Sequence, residues 1–105
     1  MGIADDLSKI TSIINTLHPQ AQIYLFGSCA NGTMRADSDI DLCVVVPSLD
    51  RNRFEIMDEM REAIHEKTEY AIDLLLFSRT EFEDNVIHKS RIQYAIAQKG
   101  VLLNA

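Results

Sequence analysis

The acids Asp39 and Asp41 run straight into the apolar stretch Leu42, Cys43, Val44, Val45, Val46, and Gly27-Ser28 stands ten residues before them. Residues two apart in an extended strand share a face. Asp39, Asp41, Cys43 and Val45 therefore point one way, and Ile40, Leu42, Val44 and Val46 point the other. The aliphatic set calls for burial, whereas two carboxylates cannot enter a core without compensating partners. A chain carrying this strand needs a sheet with one packed face and one face that leaves acids within reach of solvent or cations.

Residues 70–77 repeat the problem. Ile72, Leu74 and Leu76 form one apolar face, and Asp73 interrupts the other among Ala71, Leu75 and Phe77. A lone carboxylate in the middle of an apolar strand is costly to desolvate unless it is paired or binds a metal. Surface acids at a strand entrance are the plain explanation for an isolated Asp-x-Asp, but that explanation leaves Asp73 and the upstream Gly-Ser unaccounted for. A metal site built from Asp39, Asp41 and Asp73 accounts for all of them. Gly27 ends the β-prone run of residues 21–26, and Gly-Ser on its own is an ordinary strand-ending turn. Beside three acids the glycine gains a purpose, since it permits close backbone approach. The Ser28 hydroxyl and the amides of a helical turn over residues 28–32 are suited to phosphate oxygens.

The remaining segments supply the packing. Ile3, Leu7, Ile10, Ile14 and Leu17 recur at helical spacing with Asp5 and Asp6 at the start, which predicts an amphipathic helix over residues 3–17 that His18-Pro19 closes. After the turn at residues 47–50, a helix is expected over residues 52–67, with Ile56, Met57, Met60, Ala63 and Ile64 inward. Two short helices should follow, over residues 81–88 and 90–99, the second burying Ile92, Ala95 and Ile96 and capped by Gly100. Val101-Leu102-Leu103 is β-prone, and its pattern fits either an edge strand or a docked tail. The fold class is α/β: a small mixed sheet, helices mainly on one face, and an open face that carries the acids.

At 105 residues the chain is read as one domain over residues 1–105. Ten Lys and Arg against sixteen Asp and Glu give a net charge of −6, which disfavours direct binding to a phosphate backbone and favours a basic protein partner. There is no apolar run of bilayer length and the N-terminus is acidic, so a cytoplasmic chain with no membrane association is expected. Cys29 and Cys43 lack metal or disulfide spacing and read as reduced thiols. His18, His65 and His88 are scattered without ligand spacing.

Gly27-Ser28, Asp39-Ile40-Asp41-Leu42 and Ile72-Asp73-Leu74 together resemble the nucleotidyltransferase superfamily related to DNA polymerase β. A chain that closes soon after the third acid is similar to the minimal nucleotidyltransferases, including the antitoxin half of HEPN/MNT toxin–antitoxin pairs. The resemblance implies Asp39, Asp41 and Asp73 as catalytic residues and ligands of two Mg²⁺ ions, Gly27 and Ser28 as nucleotide-binding residues, and ATP as substrate. It further implies an acceptor presented by another molecule, a tyrosine of a HEPN toxin, that receives AMP. Asn31 stands where family members often carry arginine, which implies a lost triphosphate contact or ion pair. That departure keeps a second reading open, a nucleotidyltransferase-fold module that neutralises its partner by binding alone.

Overall fold

The computed structural model describes residues 3–27 and 40–104. The element order is α1 (Ile3–Leu17), β1 (Gln22–Phe26), β2 (Ile40–Val46), α2 (Arg53–His65), β3 (Ile72–Ser78), α3 (Arg79–Asn85), α4 (Ile92–Lys99) and β4 (Val101–Leu102). The strands form one four-stranded mixed sheet in the order β3-β2-β1-β4. β1 is antiparallel to both β2 and β4, whereas β2 and β3 are parallel and joined through α2. A parallel pair needs a crossover of about a dozen residues, and the helical periodicity between the two strands provides it.

The aliphatic faces of the strands build the main core. Ile23, Leu25, Ile40, Leu42, Val44, Val46, Ile72, Leu74 and Leu76 meet Ile10 and Ile14 of α1 and Ile56, Met57, Met60 and Ile64 of α2. Fully burying a side chain of this size contributes about 1.5–3 kcal/mol, so this layer carries most of the stability. α1 ends as its sequence requires, with His18 N–H donating to Ile14 O and Ala21 N–H donating to His18 O around Pro19. Asn52 caps α2, its side chain accepting from Phe54 N–H at 2.9 Å.

The opposite face is open only in part. Cys43 and Val45 are buried beneath Phe82 of α3 and Ile96 of α4, with Tyr24, Phe26, Leu75, Phe77 and Val86 packed around them. Tyr24 and Phe82 stack with ring centroids 5.5 Å apart. At the beginning of β2 and β3 the same face changes character, Asp41 being partly exposed and Asp73 exposed. Helices thus cover both faces, the longer pair on one and the shorter pair on half of the other.

Two expectations for the last helices change. Gln93 and Ile96 are the buried residues of α4, while Ile92 is 45% exposed and Ala95 is exposed. Arg91 is extended, so the helix begins at Ile92 with a rotation that turns the 93/96 stripe inward and the 92/95 stripe outward. Gly100 does cap α4, donating its N–H to Ile96 O, but in an extended conformation that leads directly into β4. A Cβ at Gly100 would lie 2.5 Å from Ile96 O, so the tight passage from helix to strand needs glycine. Residues 101–102 form an edge strand, which sequence alone left undecided.

Candidate active site

The site assembles around the first residues of β2 and β3. Asp41 is the register partner of Phe26 on one side and of Asp73 on the other. Neighbouring strands lie about 4.8 Å apart, so the two acids stand side by side on the half-open face. Their position follows from strand alternation: Ile40 and Leu42 on β2, and Ile72 and Leu74 on β3, are held in the main core, which turns Asp41 and Asp73 outward together. Parallel pairing then aligns them, because both strands enter the sheet from the same end.

Gly27 completes the described part of the site and has a more particular role than the sequence suggests. It has φ +72, the conformation that glycine adopts without penalty, and it turns the chain away at the end of β1. The space where a Cβ would sit is taken by the carboxylate of Asp41. A Cβ there would overlap Asp41 Oδ2 and lie 3.1 Å from its Cγ. The glycine therefore leaves room for the acid, a role additional to the close phosphate approach that the sequence suggests. Ser28, Cys29, Asn31 and Asp39, together with the expected turn over residues 28–32, lie outside the described residues.

The donor set fits a hard divalent cation. Asp41 and Asp73 offer carboxylate oxygens with no imidazole beside them on the strands, the ligand chemistry that Mg²⁺ favours. Among the described residues no group of three His, Cys, Asp or Glu side chains gathers as a metal site, so this pair is what the described part contributes. Cys43, two residues beyond Asp41, is shielded, and burial pushes its thiol pKa up to about 12. It serves as packing and not as a nucleophile or soft ligand. Burial, and secondarily the neighbouring Cys43, also raises the pKa of Tyr24.

The described ion pairs are structural. Arg51 pairs with Glu59, Arg61 with Asp58 and Arg53 with Glu81. Glu81 also closes a capping box with Ser78 at the end of β3, which tethers α3 to the strand that carries Asp73. A separate concavity of about 650 Å³ along α1 is lined by Leu7, Thr11, Asn15 and Leu103 among others. None of its lining residues is titratable, so it lacks the base or metal ligands that group transfer needs.

A family model described as nucleotidyltransferase domain matches residues 7–99. Three solved structures share the fold. A toxin–antitoxin structure with AMP-PNP is 25% identical, at a TM-score of 0.57, over 93% of this chain and 72% of that one. A protein assigned as a nucleotidyltransferase from Sulfolobus solfataricus is 21% identical, at a TM-score of 0.57, over 93% of this chain and 76% of its own. Another protein so assigned is 22% identical, at a TM-score of 0.55, over 93% of this chain and 97% of its own. No curated protein matches the chain.

Proposed function

The chain belongs to the nucleotidyltransferase domain family, and from that premise we propose that it transfers adenylate from ATP to a hydroxyl, a tyrosine on a partner toxin. The observation that carries this reading is the register pairing of Asp41 with Asp73 on adjacent parallel strands at the accessible end of the sheet. Two carboxylates so placed suit metal-assisted phosphoryl chemistry. The likeness to a toxin–antitoxin structure with AMP-PNP supports both a nucleotide and a toxin as partners. The HEPN class of toxin comes from the sequence resemblance alone.

Asp39, Asp41 and Asp73 would hold Mg²⁺, which when bound neutralises triphosphate charge and lowers the pKa of an acceptor hydroxyl. Gly27 keeps the Asp41 carboxylate in place, and Gly27-Ser28 receives the terminal phosphates. The acceptor oxygen bonds to the α-phosphorus and its proton passes to Asp73. The bond between the α-phosphorus and the α,β-bridging oxygen breaks, and pyrophosphate leaves with the electron pair. Asp73, being exposed, is available to a hydroxyl carried on another molecule.

Transfer of label from α-labelled ATP to the cognate partner tests the reading. Asp41→Ala should abolish it, and transfer that persists in that variant would overturn the assignment. The alternative, neutralisation by contact alone, is favoured by Asn31 in place of the common arginine. Under that reading Asp41→Ala neutralises the partner as well as the wild type does.

A further inference from the structure

We propose that the chain self-associates head to tail, the apolar and basic patch between α3 and α4 of one copy receiving the outer face of α2 of the next. This stands apart from the nucleotide-transfer reading. Ile87 is 74% exposed in the connection between the two helices, and Ile92 is 45% exposed at the start of α4. Lys89 and Arg91, both exposed, lie between them in the chain. His88 N–H donates to Asn85 O at 3.1 Å and Arg91 N–H to His88 O at 3.0 Å, so successive turns hold these side chains together. All sixteen Asp and Glu precede residue 85, and Lys89, Arg91 and Lys99 follow it, so the basic charge gathers here in a chain of net charge −6. Glu83 and Asp84, one turn before Ile87, bound the patch on the α3 side.

Single exposed aliphatics are ordinary on a protein surface. Here the same molecule carries the complementary surface. Phe54 is 68% exposed on α2, and Asp58 stands one turn beyond it. Glu55 and Glu62, exposed like Asp58, complete an acidic stripe along that helix, with Arg61 bonded to Asp58 at 3.4 Å on its flank. Each patch is thus an apolar anchor beside charges of opposite sign, the composition that a protein–protein contact needs at its centre and rim. A phosphate backbone would satisfy Lys89 and Arg91 but leave Ile87 and Ile92 without an apolar partner, and it would meet the acids of α3. The α2 face of a second copy satisfies both. α2 packs on the main-core side of the sheet, whereas Val86 and Ile96, which flank the basic patch in the chain, pack on the other side. The two patches therefore face opposite ways. A contact between them is heterologous and repeats from copy to copy instead of closing as a twofold pair.

Sedimentation equilibrium of the full chain at low salt tests this. The average mass of the wild type should rise with concentration beyond that of a dimer, and salt near 1 M, where the Debye length is about 3 Å, should return it toward the monomer. Ile87→Asp and Phe54→Asp each place a carboxylate at an anchor and should each weaken self-association roughly tenfold or more. Both positions are exposed, so both variants should keep the wild-type circular dichroism spectrum. An equimolar mixture of the two variants should recover association and stop at the dimer, because only one intact patch of each kind remains to pair. A wild type that stays monomeric at every concentration overturns the proposal. So does association that survives either variant alone, that high salt leaves unchanged, or that the mixture fails to recover.

Discussion

Gly27 and Asp41 form a pair in which one residue's missing atom is the other's location. Alanine at position 27 would force a side chain into φ +72 and into the space of the Asp41 carboxylate. The backbone part of that cost is about 1–2 kcal/mol, small enough for the chain to stay folded, while under the proposed function the displaced carboxylate would no longer reach a metal ion. Gly27→Ala should therefore melt a few degrees lower by circular dichroism and, under the proposed function, lose the thermal shift expected of the wild type with ATP and Mg²⁺. A variant that keeps the full ligand-induced shift would show that the close approach has no functional consequence. Asp41 and Asp73 could be named from sequence because a carboxylate in an aliphatic strand stands out without any knowledge of its neighbours. That Asp41 fills the hollow at Gly27 could not be, since it depends on how two strands whose paired residues are 15 to 23 positions apart come to lie side by side.

Among the elements, the junction of β3 and α3 is fastened by a capping box and an ion pair. Glu81 accepts from Ser78 N–H at 2.8 Å, Ser78 Oγ accepts from Glu81 N–H at 3.2 Å, and Arg53 of α2 joins the same carboxylate. The backbone bond from Ser78 foremost, and then Arg53, hold the Glu81 carboxyl below its ordinary 4.5. A carboxyl whose folded pKa is depressed adds stability that is fully present above its unfolded value and is lost as pH falls through the folded one. Melting temperature should accordingly drop on acidification below the usual glutamate range, and Glu81→Gln should lower stability near neutrality and flatten that part of the profile. An identical acid limb in the variant would show that Glu81 is not the group responsible. Element types were largely readable in sequence, because period-2 and period-3.6 patterns are local. The facing of α4 was not. Both the 92/95/96 and the 93/96 stripes are compatible with its residues, and the sheet surface beneath Gln93 and Ile96 selected between them.

Across the whole molecule, residues 103 and 104 are tied back to α1 and β1. Asn104 accepts from Ile23 N–H at 2.8 Å and donates to Ala21 O at 2.6 Å and to Asn15 Oδ1 at 3.1 Å, while Leu103 N–H donates to Ile23 O. These bonds extend the short β4 beyond its two residues and tie it to α1 and β1. Asn104→Ala strands a backbone donor and an acceptor in a partly buried place, which should cost about 1–3 kcal/mol. Amide exchange should then rise first at Ile23 and through β4, with the α2–β2–β3 region protected as before; protection lost uniformly would mean that the tail is not a separate unit. No helix among the described residues is long and apolar enough to cross a membrane. By itself the sequence determined the α/β class, the three longer strands and the helices, and the acids that do not belong in a core, because each of these is written in patterns shorter than one element. Only the tertiary structure decided that β2 and β3 are parallel neighbours in the register that aligns Asp41 with Asp73, that α3 and α4 cover half of the second face, and that β4 joins the sheet beside β1. The physical reason is common to all three. Strand pairing and helix docking join residues far apart in the chain, and their register is selected by the mutual fit of faces that no single segment contains.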